Sequence, residues 1–402
     1  KHVLLLLLIC LFACTTQAQG ADDLKQAVTV LGQEDFLQSG RLGVFVQEVT
    51  SGKILVNRNG DETLLPASTM KVVTGVVAMD LLGPDYTYQT DIRIVGEVEN
   101  GVLNGDVVIV GGGDPTVGSD RFGVQARLEY FLTAVVTAIQ KQGIQQINGR
   151  VIGDATVYGS SQIPVNWVWN DIGNYYGAGA SGLTILENTY RIWFSPNDTV
   201  DRPASVLRTS PDLPGVELVN EMLTGKKGSG DQGYIYGAPY SNIRHLRGSI
   251  PQGKSEFSIK GSLPEPALTA AQLLTEALTS SGIPVSGTPT TRRQIAPGVI
   301  SLAQSQLIYS HSSPALRDII YWMEKKSNNL FAEHLVREIG RKVKGDPSVE
   351  GGLSIISANL KKNGIPMAGL HLHDGSGLSR YNGITPRQLT AVLRYAHFRL
   401  WN

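Results

Sequence analysis

A serine and a lysine three residues apart form the strongest chemical signal in the sequence. Ser68 and Lys71 lie within Leu64–Gly75, which reads LLPASTMKVVTG. A serine hydroxyl becomes a nucleophile only when a base accepts its proton, and a lysine can do so if burial or nearby cations keep it neutral. Residues i and i+3 lie on one face of a helix. The spacing therefore makes Ser68 a candidate nucleophile and Lys71 its candidate base.

Chance is the alternative explanation for this pair, which would then be two ordinary residues on a helix surface. Average composition yields roughly one or two Ser-x-x-Lys pairs in a chain of this length. This chain contains one, and it falls where a helix over about Ala67–Leu82 is predicted to begin, before Gly83-Pro84 ends it. Free N–H groups and the positive end of the helix dipole favour developing negative charge there.

A second element must carry the proton to a leaving amine. A Ser-x-Asn triplet can supply a hydroxyl relay together with an amide that orients the substrate or the lysine. Three triplets occur, at 195–197, 327–329 and 357–359. The first lies in a loop that contains proline, and the third lies within a helical pattern. Only Ser327 is at a predicted junction of two helices, so Ser327 and Asn329 are the candidates.

A phosphate-loop pattern competes with the serine–lysine pair. Gly248–Ser255 reads GSIPQGKS and matches G-x-x-x-x-G-K-[ST] at every position. Such a loop binds phosphate only when a buried strand enters it and a helix leaves it. The residues after Lys254 alternate and include glycine and proline, so no helix can begin there. We expect Lys254 to be a solvated residue beside a strand, and nucleotide binding is kept as a third hypothesis.

Two further groups could hold a ligand. His371 and His373 beside Asp374 could bind a metal, but further ligands are missing, so a surface position is the simpler interpretation and no metal site is predicted. An aromatic cluster surrounds Asp171, and we expect it to pack in a core or against the catalytic domain, with glycan contact as an alternative. Its members are Trp167, Trp169, Tyr175 and Tyr176.

The elements that must position Ser68 come from two distant parts of the chain. Ahead of it, the pattern predicts a helix over 22–38 and a hairpin closed by Thr50-Ser51-Gly52. Helical patterns return after Ser313-Pro314. We therefore expect an α/β catalytic domain built from residues 19–83 and 301–402, with a β-rich inserted region over 84–300.

Turn signals divide that inserted region into short strands. Asn100-Gly101 and Asn104-Gly105 are predicted as turns between strands. Two amphipathic patterns, RLEYFLTAVVTAIQKQG and TAAQLLTEALTSSG, predict isolated helices. No repeat of fixed period is present.

The composition is that of a folded protein without a charge-driven partner. The chain has 402 residues, 42% of them hydrophobic, and its 35 basic residues equal its 35 acidic ones. It therefore lacks the basic footprint of a nucleic-acid-binding protein.

The first 18 residues have the pattern of a secretory signal peptide. Their apolar run, VLLLLLICLFA, is too short to span a bilayer as a helix. We expect cleavage after Ala18 and export, with a lipoprotein site at Cys14 as the alternative. Cys10 and Cys14 are the only cysteines, so the mature chain is expected to have neither a disulfide nor a cysteine-based metal site.

Three motifs in order resemble one enzyme family. PASTMK, KKSNNLFAEHL and HDGSGLSRYNGITPRQL are similar to segments of the D-alanyl-D-alanine carboxypeptidase/endopeptidase family of low-molecular-mass class C penicillin-binding proteins. Ser68 and Ser327 are 259 residues apart, and a long insertion at this point marks that family, whereas class A β-lactamases keep the two motifs closer. GGGDPT, NYYGAGASGLTILENTYRI and RGSIPQG resemble its inserted region. The resemblance covers nearly the whole mature chain and implies a discontinuous DD-peptidase/β-lactamase-like serine transpeptidase fold.

The resemblance also implies an activity. Family members are serine peptidases that act on the D-Ala-D-Ala end of peptidoglycan stems, or on cross-links, through an acyl-enzyme. They need no cofactor and are acylated by β-lactam antibiotics. For this exported chain we expect a periplasmic location. By position, Ser68 would be the nucleophile, Lys71 its base, Ser327 the proton relay and Asn329 the orienting amide. Asp374–Ser379 matches the family's DGSGLS segment and is expected to shape the wall near the site.

One motif of the family is missing from these residues. No Lys-[Ser/Thr]-Gly occurs in the sequence, and by order it would follow Asn402. In the family that strand binds the substrate carboxylate and supplies one oxyanion-hole N–H. Since losing one such donor costs about 10²–10³ in kcat, we expect an active parent enzyme and a nearly inactive 402-residue chain. A non-catalytic peptidoglycan- or penicillin-binding scaffold is the alternative.

Overall fold

The computed structural model describes residue 20, residues 22–37 and residues 39–399. The predicted signal peptide, with both cysteines, lies outside the described residues. The described chain forms two compact units. The first comprises the residues up to Pro66, Ser357–Leu372 and those from Tyr381 onward, and the second comprises Ala67–Ile356 and His373–Arg380. The division of the chain at 83/84 and 300/301 stays a prediction.

The first unit contains a hairpin and a C-terminal helix. Strands β1 (Val44–Gln47) and β2 (Ile54–Arg58) pair antiparallel, and Gly52 between them has φ 75°, which confirms the predicted hairpin. The predicted helix over 22–38 is shorter, because α1 covers residues 22–31 and a 3-10 turn follows at Asp35–Leu37. The last helix, α9 (Pro386–His397), begins with a capping box in which Thr385 and Gln388 exchange hydrogen bonds.

The second unit contains the helix that follows the predicted nucleophile and three helices from later in the chain. They are α2 (Met70–Leu82), α6 (Leu316–Lys326), α7 (Asn329–Lys344) and α8 (Val349–Lys362), of which α8 continues beyond the unit. Helix α2 packs against both α6 and α7, and its Val73 and Val77 are fully buried. Gly75 faces Met323 of α6, so the missing side chain lets the two helices come close.

After α2 the chain enters the predicted β-rich region. Its largest sheet has the order β14-β6-β4-β3-β15, with β5 paired to β4. Helices α3 (Leu128–Lys141) and α5 (Pro266–Ser280) contribute Phe131, Val135 and Leu274 to the core of this region. The strands are β3 (Gln89–Glu99), β4 (Val102–Gly111), β5 (Gln146–Ile147), β6 (Val151–Asp154), β14 (Thr290–Thr291) and β15 (Gln306–Ser312).

One of the two turns predicted here is wrong. Asn100-Gly101 does connect β3 to β4, but Asn104-Gly105 lies inside β4, where Gly105 pairs with Gly96. A Cβ on Gly105 would overlap the carbonyl oxygen of Val95. This glycine therefore serves a close approach of two strands, not a change of direction.

Two smaller sheets complete the region. One has the order β13-β7-β8, and in the other β12 pairs with β9, β10 and β11. A short helix, α4, covers Trp169–Ile172. The strands are β7 (Thr189–Ser195), β8 (Ser205–Ser210), β9 (Glu217–Asn220), β10 (Leu223–Gly225), β11 (Gln232–Tyr236), β12 (Ile243–Pro251) and β13 (Phe257–Ser262). The architecture is mixed α/β with several sheets, as predicted.

The β-rich region begins and ends at neighbouring points. Strand β15 pairs antiparallel with β3. The N–H of Tyr88 donates to Ser313 Oγ at 2.9 Å, and the N–H of Ser313 donates to the Tyr88 carbonyl at 3.0 Å. The chain thus returns to α6 beside the point where it left α2.

The phosphate-loop pattern covers the end of one strand and the loop that follows it. Gly248 belongs to β12, and Lys254 and Ser255 lie between β12 and β13, so no helix leaves the pattern. The Lys254 ammonium lies 5.4 Å from the centre of the Phe257 ring. A nucleotide site of this type would need a helix N-terminus at this point.

In the described part of the chain, no helix has the length and apolar character needed to cross a membrane.

Candidate active site

Ser68 lies on a short turn immediately before α2. Residues Ala67–Thr69 form one turn of 3-10 helix, and α2 follows at Met70. The predicted helix over Ala67–Leu82 is therefore present, with its first turn wound more tightly. Ala67 has φ 45°, in the left-handed region that costs a non-glycine residue roughly 1–2 kcal/mol. Ser68 itself is exposed.

The Lys71 ammonium is buried and contacts the Ser68 hydroxyl. The lysine side chain is 1% exposed, and its Nζ lies 3.1 Å from Ser68 Oγ. It also donates to Asn329 Oδ1 at 2.6 Å and to the Ser376 carbonyl at 2.7 Å. Three acceptors thus hold Nζ beside the hydroxyl, in the geometry that a base for Ser68 requires.

Burial makes Lys71 easier to deprotonate. Desolvation lowers the pKa of its ammonium to about 8, although the nearby carboxylates of Glu333, Asp374 and Glu324 oppose this shift. A pKa of about 8 leaves roughly a tenth of the lysine neutral at pH 7. The site therefore supplies the neutral amine that a general base needs.

Asn329 reaches the site from the junction of α6 and α7. Ser327 ends α6 in the left-handed conformation, with φ 52° and ψ 46°, and Asn328 caps α7 by accepting from the N–H of Phe331. Asn329 Nδ2 donates to the Tyr176 carbonyl at 2.8 Å. Because the amide nitrogen is held there, its oxygen faces Lys71.

Ser327 lies near these residues without touching the nucleophile. It lines a cavity of about 70 Å³ together with Asn329 and the two tyrosines Tyr175 and Tyr176. Its side chain is exposed, and among the described residues its hydroxyl forms no hydrogen bond. The structure thus brings Ser68, Lys71 and Asn329 into contact and leaves Ser327 at the side of the same site.

Glu333 is a functional candidate that sequence reasoning missed. It lies one turn into α7 and is fully buried. Its Oε1 accepts the N–H groups of Gly375 at 3.1 Å and Ser376 at 2.9 Å. Burial, and then the charge of Asp374, raise the pKa of the Glu333 carboxyl to about 8. Glu333 thus fixes the backbone whose Ser376 carbonyl accepts from Lys71.

The DGSGLS segment is held by its own aspartate. Asp374 is fully buried, and its oxygens accept from the N–H groups of Gly377 at 2.7 Å and Ser379 at 2.6 Å. The indole N–H of Trp167 also donates to this carboxylate at 2.8 Å. Asp374 therefore ties the segment to the β-rich region, and the Ser376 carbonyl is its contact with Lys71.

Gly377 touches the turn that carries the nucleophile. It has φ 81°, and a Cβ there would overlap the carbonyl oxygen of Ala67. Only glycine satisfies both conditions, the left-handed backbone and the close approach. The segment therefore supports the turn at Ser68 from outside.

The predicted aromatic cluster divides into buried and exposed members. Trp167 is 6% exposed, whereas Trp169 and Tyr175 are each 55% exposed. The Tyr176 hydroxyl donates to Asp171 Oδ1 at 3.2 Å. Trp167 thus packs as expected, while Tyr175 borders the cavity beside Ser327 and Asn329.

The remaining candidates occupy other positions in the fold. Asn197 follows β7, and Asn359 is inside α8. His373 Nδ1 forms a hydrogen bond with the Asn166 amide at 2.9 Å. Within residues 22–37 and 39–399, no group of three or more His, Cys, Asp or Glu side chains could hold a metal ion.

Comparison with protein families gives a match over almost the whole chain. The matching family is described as the D-Ala-D-Ala carboxypeptidase 3 (S13) family, and residues 24–402 match its model. The D-alanyl-D-alanine carboxypeptidase of Actinomadura sp. (strain R39) is 28% identical, over 94% of this chain and 69% of that protein.

Solved structures give the same result. The crystal structure of penicillin binding protein 4 (dacB) from Haemophilus influenzae aligns with a TM-score of 0.72 at 25% identity, over 88% of this chain and 74% of that one. A second structure of that protein, complexed with a β-lactam, aligns with a TM-score of 0.65 at 24% identity, over 88% and 73%.

Proposed function

The chain belongs to the D-Ala-D-Ala carboxypeptidase 3 (S13) family, and from this premise we propose that Ser68 is its nucleophile. The predicted family resemblance, the DD-peptidase fold with an added β-rich region and the hydrolase function are confirmed. The individual residue roles are our proposal, and the contact of Lys71 Nζ with Ser68 Oγ at 3.1 Å supports them.

Acylation begins with attack of Ser68 on the carbonyl carbon of the D-Ala-D-Ala bond. Neutral Lys71 accepts the hydroxyl proton while the Oγ–C bond forms. Collapse of the tetrahedral intermediate breaks the C–N bond, and the terminal D-Ala leaves as an amine. That amine needs a proton, which passes from Lys71 through the Ser327 hydroxyl, since Ser327 lies in the cavity beside Asn329.

Asn329 keeps the base in place during this step. Its oxygen accepts from Lys71 and its nitrogen is held by the Tyr176 carbonyl. A water molecule then attacks the ester on Ser68, and Lys71 accepts the proton of that water. Lys71 returns this proton to Ser68 Oγ as the C–O bond breaks, and the shortened stem peptide is released with a carboxylate end.

The same acylation accounts for binding of β-lactam antibiotics. A strained lactam amide presents a carbonyl carbon to Ser68, and its ring nitrogen is the leaving group. The relative from Haemophilus influenzae has been solved in complex with a β-lactam. We include β-lactams, with peptidoglycan peptides ending in D-Ala-D-Ala, as partners of this chain.

Substrate chemistry also suggests a location. Peptidoglycan lies outside the cytoplasmic membrane, and a carboxypeptidase that trims it must be exported. We propose that the protein works in the periplasm and that residues 84–300 form a region inserted into its catalytic domain.

Covalent labelling by a fluorescent penicillin tests the nucleophile. After prolonged incubation, which allows for slow acylation, the wild type should form a labelled band that survives denaturation, and Ser68→Ala should form none. Lys71→Met should label at least about a hundredfold more slowly, because no base remains. Labelling of Ser68→Ala at the wild-type rate would overturn the assignment. Noncovalent, reversible binding to both variants would favour the scaffold alternative.

A further inference from the structure

Three neighbouring cavities extend from Asn329 within the second unit. The first, of about 70 Å³, contains Ser327 and Asn329. It shares Lys260 and Lys326 with a second cavity of about 440 Å³. The second shares Arg121 and Trp322 with a third of about 770 Å³. We call this row of adjacent cavities, bordered by α6, the α6 groove.

The middle of the α6 groove carries an excess of positive charge, since four basic side chains and two carboxylates line it. Glu187 is already occupied, because it accepts from Arg121 Nε at 2.8 Å and from Asn328 Nδ2 at 2.9 Å. Among the described residues, no carboxylate lies within ion-pair distance of Lys260 or Lys326. Burial, and then the neighbouring Arg191, lower the pKa of Lys260. Asp120 and Glu187 line the same cavity but balance only half of its four basic side chains, so a net positive charge remains.

The far end of the groove is lined by aromatic rings. Tyr321 is 56% exposed and Tyr130 is 42% exposed, and the ring centres of Tyr321 and Trp322 lie 5.4 Å apart. Exposed aromatic rings with polar edges are typical of binding surfaces. They offer flat apolar faces for the C–H groups of a sugar ring. The aromatic residues here are Phe122, Tyr130, Tyr309, Tyr321 and Trp322.

The length of the groove fits a short peptide. Trp322 lies five residues before Ser327, a distance of about 7–8 Å along the axis of α6. Four residues of an extended peptide span at most about 13–14 Å. An extended stem peptide that passes beside Ser327 can therefore place its distant end, and the sugar attached there, near Trp322.

We propose that the α6 groove binds the glycan-linked part of the substrate. A carboxylate in the stem peptide lies over Lys260 and Lys326, and the attached sugar lies against Trp322 and Tyr321. This inference rests on the proposed function and narrows the substrate class to acidic stem peptides that still carry their sugar.

Binding to Ser68→Ala tests the groove without turnover. The probe is a disaccharide-pentapeptide with a free carboxylate between the sugar and the D-Ala-D-Ala end, and its affinity is measured by calorimetry. The Lys260→Glu change should weaken binding at least fivefold, because it reverses a charge in a confined site. It should not weaken binding of the same probe with that carboxylate amidated, and Lys260→Arg should retain the affinity.

Two controls separate charge from general damage. Lys325 is an exposed residue of α6, next to Lys326, but it does not line the groove. The Lys325→Glu change should therefore leave the affinity for the acidic probe unchanged. Trp322→Ala should weaken binding of the disaccharide-pentapeptide severalfold and leave the sugar-free pentapeptide unaffected. An equal loss for acidic and amidated probes, or equal effects of the changes at Lys260 and Lys325, would overturn the proposal.

The outcome is independent of the nucleophile assignment. If penicillin labels the wild type but the acidic and amidated probes bind to Ser68→Ala with equal affinity, the groove proposal alone fails. If the wild type is not labelled but Lys260→Glu still weakens binding of the acidic probe selectively, the enzymatic proposal alone fails.

Discussion

Glu333 and Lys71 are linked through a single backbone segment. The Glu333 carboxyl accepts the N–H groups of Gly375 and Ser376, and the Ser376 carbonyl accepts from the Lys71 ammonium. The two side chains therefore hold the same short stretch of backbone from different sides. Any change that breaks the hydrogen bonds between Glu333 and this segment should therefore also weaken the hold of the Ser376 carbonyl on the Lys71 ammonium.

The Glu333→Leu change should slow penicillin labelling by about ten- to a hundredfold, because Lys71 would lose its alignment with Ser68. It also leaves two buried N–H groups unpaired, at about 1–3 kcal/mol each. Glu333→Gln retains an acceptor oxygen and should label at nearly the wild-type rate at pH 7. Equal rates for the leucine and glutamine variants would contradict this role.

The labelling rate should rise with pH and level off above about 8. Lys71 acts as a base only when it is neutral, and its pKa is lowered to about 8, so raising the pH through this value increases the active fraction. Because the pKa of the Glu333 carboxyl is itself raised to about 8, this group is mostly neutral at lower pH, and Glu333→Gln should leave the profile nearly unchanged. Stopped-flow labelling between about pH 5.5 and 9.5 measures both profiles on either side of that pKa. A rate that falls with pH across this range would exclude Lys71 as the base.

The Gly377→Ala change should destabilise the fold by more than about 2 kcal/mol and abolish labelling. The added methyl group would displace the Ala67 carbonyl beside Ser68. Gly143 is the matched control, since it also has positive φ but no neighbour near its Cβ position. Gly143→Ala should cost only the backbone strain, roughly 1–2 kcal/mol, and label normally. Urea unfolding followed by circular dichroism compares the two variants.

The Trp167→Phe change should cost about 1.5–3 kcal/mol, because it removes a buried hydrogen bond to the Asp374 carboxylate. Trp169→Phe alters an exposed ring and should change stability by less than about 0.5 kcal/mol. Circular dichroism is the suitable probe, since both changes remove a fluorophore. Similar unfolding midpoints would show that the Trp167 contact does not stabilise the segment.

Alanine substitutions at Ser327 and at Asn329 should have different effects on the free energy of unfolding. Among the described residues the Ser327 hydroxyl has no hydrogen bond, so Ser327→Ala should alter the free energy of unfolding by less than about 0.5 kcal/mol. Asn329→Ala removes contacts to Lys71 and the Tyr176 carbonyl, and should cost about 1–3 kcal/mol. A larger loss for Ser327→Ala than for Asn329→Ala would contradict this arrangement.

The parts of the site that could be predicted depend on local pattern. The spacing of Ser68 and Lys71 is a property of one helix turn, and Ser327 precedes a helix start that polar residues favour. Both signals lie within a few residues of sequence. Amino-acid order alone is therefore enough to identify the chain segments that carry them.

The supporting contacts could not be predicted, because they join distant residues. Glu333 resembles an ordinary polar helix residue, and only the packing around α7 shows that it is buried. Trp167 and Asp374 are 207 residues apart, and no local pattern pairs an indole with a carboxylate. Asn104-Gly105 carries a strong turn signal, but the pairing of β4 with β3 overrides it.

The contact between Lys71 and Asn329 can form only after the ribosome has synthesised both residues. The two residues are 258 positions apart, so at about 5–20 residues per second the ribosome needs roughly 13–50 s to reach the second after the first. During that interval the apolar face of α2 has no α7 to cover it. The nascent chain therefore carries an aggregation-prone helix for most of its synthesis, and a factor that shields this helix would raise the yield of folded enzyme.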